Sequence, residues 1–209
     1  MEESSGQIQD ATANANHSTA LVGTGHTYSQ TGRVNNAIQL SAGGFSVPDS
    51  ATLDLGDIFT LEAWNKRVTT LTEQVIFTKQ SGAYALLWDT DVLKLQRRGF
   101  TVIVGSTITV TDTTTWHHIV ATKNGATVKL YIDSVDRTGT VTNDICANNA
   151  SALIIGSQPD ATFPLGATMD EAAVYPTALS AARVLAHYNA ASAAAPSLYV
   201  TRHPLRLGV

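Results

Sequence analysis

The chain has 209 residues, 44% of them hydrophobic, with a formal net charge of −4 and one cysteine. That length suits a single sandwich or barrel domain, which can bury about 70% of its unfolded surface without disulfide staples. The acidic balance, with no basic run beyond the pairs Lys66-Arg67 and Arg97-Arg98, excludes a phosphate-backbone binder, and no apolar stretch approaches a membrane span.

The opening residues Met1-Glu2-Glu3-Ser4-Ser5 carry neither the basic nor the apolar segment of a secretory signal. A trimmed chain, or one that never uses that export route, is expected. Short strands are then predicted at 37–40, 58–65, 74–79, 83–88, 92–98, 100–104, 107–111, 116–123, 127–133, 152–156 and 168–175. The threonine-rich stretch TVIVGSTITVTDTTT (101–115) favours strand over helix. Many short strands with turn residues about every ten positions argue for an antiparallel all-β sandwich.

The stretch TWHHIVATKNGATVKLYID (115–133) carries the adjacent histidines His117 and His118. Asn124-Gly125 is a preferred dipeptide for a tight two-residue hairpin turn. Alternation puts Trp116, His118 and Val120 on one strand face and His117, Ile119 and Ala121 on the other. The two histidines therefore cannot grip one ion without a bulge, and no His-x-His occurs in the chain. A structural hairpin is expected rather than a metal site.

One segment departs from the β pattern. Ser180 is placed to cap a helix over AARVLAHYNAASAAA, with Leu179 and Val184 stapling its first turn and Pro196 ending it. Two units follow from this: a domain over 1–195 and a tail over 196–209 with apolar residues at Leu198, Val200, Leu205, Leu207 and Val209. Pro204 confines any strand pairing by that tail to a short or edge position. Such a segment is expected to anchor the protein to a partner or to copies of itself.

Five stretches resemble, in order and spacing, the laminin-G-like domains of the concanavalin A-like lectin/glucanase superfamily. They are EESSGQIQDATANANHSTALVG (2–23), FSVPDSATLDLGDIFTLEAW (45–64), TWHHIVATKNGATVKLYID (115–133), LIIGS (153–157) and MDEAAVYPTALSAARVLAHYNA (169–190). The resemblance implies a jelly-roll of two antiparallel sheets with a short C-terminal helix. It also implies a first strand and an Asp/Asn loop in the opening stretch, and a core position for Trp116.

The same resemblance bears on sites. Its glucanases carry Glu-x-Asp-x-x-Glu or a close variant on one strand, and this chain has no such run. Glu62 is a lone acid on an apolar strand, expected to make a structural hydrogen bond or salt bridge. Asp89 and Asp91 flank a turn, where solvated acids are the norm. No motif flags a nucleophile, so no enzyme is expected. Many laminin-G-like relatives hold a structural Ca2+, and the matching positions are Asp10, Asn14 and Asn16 in the loop and Asp170 beside Glu171. Ala13, Ala15 and Ser18 stand where the family loop is rich in glycine, which makes positive φ costlier there.

Sandwich lectins often stack a sugar on an aromatic ring, for which Trp88, Tyr84, Phe100 and Tyr28 are candidates. The expected function is a non-catalytic binding or structural module displayed on a surface. A bacteriophage virion is the first setting considered, with a glycan or protein partner, assembly through residues 196–209, and no nucleic acid. A binding module of a secreted bacterial protein is the alternative, and a glycoside hydrolase comes third.

Overall fold

A computed structural model describes residues 3–193. Twelve strands and one helix follow in chain order: β1 (Ala20–Thr31), β2 (Asn36–Val47), β3 (Ile58–Arg67), β4 (Gln74–Lys79), β5 (Tyr84–Asp89), β6 (Val92–Arg97), β7 (Thr101–Thr109), β8 (His117–Asn124), β9 (Thr127–Ile132), β10 (Val135–Asp136), β11 (Leu153–Ile155), β12 (Ala167–Tyr175) and α1 (Ala181–Ala193). The pairing order is β10-β9-β8-β3-β12-β2-β11-β4-β5-β6-β7, with β1 along the free side of β2. Every register is antiparallel, as the jelly-roll requires.

Strand β2 joins the two sheets. Its residues Ile38, Gln39 and Leu40 pair with β12, whereas Phe45, Ser46 and Val47 pair with β11. Gly43 and Gly44 lie at the crossing between the two pairings. A Cβ at Gly44 would stand 2.2 Å from the carbonyl oxygen of Ile155, so only glycine lets the strands approach there.

Alternation along β3 sends Phe59, Leu61 and Ala63 into the core, where they meet Leu86, Trp88, Leu93 and Leu95 of the opposite sheet in one hydrophobic cluster. Each leucine or phenylalanine among them contributes about 1.5–3 kcal/mol when fully buried. The buried cations Arg67, Lys79 and Lys123 each meet a carboxylate, at Asp91 (2.9 Å), Asp49 (2.5 Å) and Asp57 (2.9 Å) respectively. Removing one partner would strand the other charge in the interior.

Several expectations shift. The first strand is β1, starting at Ala20, and the described residues before it form no strand. Gly23 and Gly25, both at positive φ, and the largely exposed β1 side chains hide its period. The two strands expected at 100–104 and 107–111 form one, β7. The hairpin turn falls one residue later than Asn124-Gly125: Asn124 pairs with Thr127, leaving Gly125-Ala126 as the turn. Gly125 has φ +57°, as a turn with glycine at its first central position requires.

Trp116 is not a core anchor. It lies half-buried at the start of β8, with Lys66 Nζ 5.6 Å from its ring centroid. The alternation of β8 explains this: Ile119 and Ala121 face the core, while the even positions face outward. Asp91 is not a solvated turn acid either. It is 1% exposed and bound to Arg67, although Thr90 and Asp91 do form a turn with both residues at positive φ.

The helix begins as expected. Ser180 Oγ accepts the N–H of Arg183 at 3.3 Å, and Leu179 packs on the cluster of Val120, Tyr131 and Val184. The helix end at Pro196 and the tail of residues 196–209 lie outside the described residues.

Candidate functional site

Of the four aromatic candidates, only one is displayed. Trp88 and Tyr84 are fully buried, and the Tyr28 hydroxyl is spent on the carbonyl of Gly6. Phe100 is 66% exposed. The turn between β6 and β7 presents it: Gly99 takes φ +83° and the Phe100 N–H donates to the Arg97 carbonyl at 3.0 Å. The Arg97 guanidinium sits 4.4 Å from the ring centroid and is itself held by Asp144 at 3.1 Å. A Cβ on Gly82 would come 3.0 Å from the Phe100 ring, so that neighbour leaves room for it.

Beside Phe100 runs an open groove of about 400 Å³, lined also by Gln80, Gln96, Arg98, Val102 and Gln158. The sheet places them. Gln96 pairs with Ala85 and with Val102, which puts all three on the outer face, opposite Trp88 and Leu95. Gln80 donates through Nε2 to Gln158 Oε1 at 2.6 Å, and Arg98 donates through Nη1 to Gln96 Oε1 at 3.2 Å. Arg98 Nη2 also stands 2.8 Å from Glu73 Oε1. The groove volume lies in the usual range for small-ligand sites, roughly 300–1,000 Å³. Phe100 was among the sequence candidates. The three glutamines were not, because nothing in a lone Gln marks which face of which strand it will share.

A second polar cluster lies between the other sheet and α1. Outward-facing Glu62 accepts His118 Nε2 at 2.6 Å and His187 Nδ1 at 3.0 Å. Burial would raise the Glu62 pKa, but the hydrogen bonds from His118 and His187 prevail and hold it below the ordinary carboxylate value. Burial and the Glu62 carboxylate push the Tyr175 hydroxyl up. Trp64 stacks on His118 and on Tyr188, with Arg33 4.7 Å above its ring. The lone-acid expectation for Glu62 is thus met by two histidines. His118 and His117 point to different partners, His117 Nδ1 lying 2.8 Å from Asp133 Oδ2.

Two acids about 5 Å apart would be needed for a retaining glycosidase. Glu62 accepts His118 of the same sheet and His187 of α1, and with Trp64 and His187 it lines a cavity, while Asp89 belongs to the other sheet and is bound to Lys94 at 2.6 Å. Cys146 is buried, its thiol pushed up to about 12 by that burial, which makes it a poor nucleophile.

The residues expected around calcium each hold backbone or side-chain partners nearby. Asp10 accepts the N–H groups of Thr12 and Asn16, at 2.8 and 2.9 Å. Asn16 Oδ1 accepts Ser50 Oγ at 2.7 Å, and the Asn14 N–H donates to Thr12 Oγ1. Ala15 does adopt positive φ, +54°, the conformation glycine would take without strain. Asp170, fully buried, accepts the N–H groups of Val34 and Glu171 at 2.9 and 2.8 Å. Asp10, Asn14 and Asn16 face a cavity of about 970 Å³ that Glu171 also lines and Asp170 does not. Among the described residues, no three His, Cys, Asp or Glu side chains are grouped to hold a metal.

A family model described as the concanavalin A-like lectin/glucanases superfamily matches residues 40–185. Among curated proteins, none matches this chain. Solved structures share the fold. The binding domain of Paraclostridial Mosquitocidal Protein 1 is 18% identical at a TM-score of 0.68, over 88% of this chain and 49% of that one. This chain thus spans about half the length of that protein. Domain 4 of AbnA, an extracellular arabinanase from Geobacillus stearothermophilus solved with arabinotriose, is 18% identical at 0.64, over 82% of this chain and 91% of that one. Trypanosoma rangeli sialidase in complex with sialic acid is 12% identical at 0.59, over 91% and 33%.

Proposed function

We propose, from the premise that this chain belongs to the concanavalin A-like lectin/glucanase superfamily, that it is a non-catalytic glycan-binding module whose ligand lies in the groove beside Phe100. One observation carries the reading. An exposed aromatic ring stands next to three amide side chains, Gln96 on the outer face of the sheet and Gln80 and Gln158 in the loops after β4 and β11. The ring can stack on the C–H face of a sugar while the amides take its hydroxyl groups. The arabinotriose complex of a structure with this fold adds support at the level of ligand class. Glu62, bonded to two histidines, and Asp89, paired with Lys94, lie on different sheets, which supports the non-catalytic part.

The same proposal has the module displayed on a surface, a virion in the first setting, through residues 196–209. The apolar residues of that segment support it.

The test is titration calorimetry against a panel of bacterial and plant oligosaccharides. Phe100→Ala is expected to weaken binding by at least about ten-fold, which is about 1.4 kcal/mol. Because Phe100 is 66% exposed, the variant should keep its fold. Binding by no saccharide, or binding indifferent to Phe100→Ala, overturns the reading.

A further inference from the structure

The charges around the groove are matched pairwise. Arg98, 9% exposed, faces Glu73 at 2.8 Å and gives a second N–H to Gln96. Arg97 faces Asp144 at 3.1 Å, and Lys94, on the same outer face, faces Asp89 at 2.6 Å. An acidic sugar loses hydration on entering such a groove and regains it only from a cation free to form charge-assisted bonds. Arg98, the guanidinium that lines the groove, already meets Glu73 through Nη2 and Gln96 through Nη1.

What remains open is amide. Among the described residues, Oε1 of Gln80, Nε2 of Gln96 and Nε2 of Gln158 form no hydrogen bond within the protein. That set mixes one acceptor with two donors. A sugar hydroxyl can both donate and accept, so it can satisfy either kind. An ionised carboxylate or sulfate only accepts, and would leave the Gln80 oxygen without a donor. Phe100 and Val102, 66% and 44% exposed, give the remaining wall an apolar surface suited to an uncharged ring.

We propose that the groove selects neutral saccharides and discriminates against uronic, sialic and sulfated ones, through three open amide groups set among internally paired charges. This rests on the glycan reading above and specifies its ligand class.

The experiment compares matched ligands, a neutral xylo-oligosaccharide series and its glucuronic-acid-substituted counterpart, alongside neutral and sialylated lactose. The neutral member of each bound pair should bind at least about ten-fold more tightly. Glu73→Gln, which releases the Arg98 fork, should narrow that preference several-fold, and Gln158→Ala should weaken the neutral ligand. Thermal melting of each variant establishes that it is folded. Equal or tighter binding of the acidic member overturns the inference while leaving the glycan reading intact. A preference unchanged in folded Glu73→Gln overturns charge pairing as its cause. Binding of none of these or the wider panel overturns the glycan reading itself.

Discussion

His187 Nδ1 lies 3.0 Å from Glu62 Oε2, so a residue of the C-terminal helix closes a hydrogen-bonded cluster begun on a central strand of the sheet. Glu62 also accepts His118 Nε2 at 2.6 Å, and that histidine is fully buried. The carboxylate is therefore the hub that ties β3, β8 and α1 together.

Replacing the hub should cost more than replacing a spoke. Glu62→Ala leaves the buried His118 N–H without an acceptor and is expected to destabilise by about 3 kcal/mol, in the range for breaking a buried pair. His187→Ala removes a partly exposed partner and should cost about 1 kcal/mol. Urea denaturation of the two variants measures both. Equal costs would show that the hub is not the carboxylate.

The same carboxylate sets a pH dependence. Its folded pKa is held below the ordinary value of 4.5, so in the acid range the unfolded chain binds the proton first. The stability this group contributes is complete above that ordinary value and is lost as pH falls through the lower folded value. Melting temperature should therefore decline on acidification more steeply in the wild type than in Glu62→Gln. Parallel curves would remove Glu62 from the acid response.

Calcium can be tested directly. An ion shared by Asp10, Asn14, Asn16 and Asp170 would use carboxylate lone pairs beside those that accept backbone N–H donors. If that ion is held, chelator lowers the melting temperature, and an unchanged melt removes it. A fall in chelator that added calcium restores would establish an ion there, because a ligand bound only by the folded state stabilises it by mass action.

Truncation after residue 195 tests the anchoring role proposed for the tail. The hydrophobic cluster of the described residues runs from Ile8 to Met169, so the shortened domain should melt within a few degrees of the full chain. Assembly or attachment to a surface should be lost. A truncated protein that assembles normally, or that no longer folds, contradicts the anchor.

Much of the fold was legible because it rests on local rules. The period-two pattern of β3 and β8, the capping Ser180 and the Leu179/Val184 staple all act within a few residues, and each stands where the sequence placed it. The lone acid Glu62 was legible as a structural group by its apolar flanks. Strand β1 was not, because its exposed faces and two glycines carry no clear alternation. Trp116 was misplaced because a large aromatic reads as core until strand parity and the neighbouring Lys66 decide its face. Of the groove, only Phe100 was legible. Gln80, Gln96 and Gln158 lie on separate segments, and only the antiparallel registers and the loop after β11 bring them beside Phe100. Whether Asp10 and Asp170 could share an ion likewise depends on which backbone amides each carboxylate meets. Chain-distant hydrogen bonds are set by tertiary packing, whereas alternation and capping are set by the residues themselves.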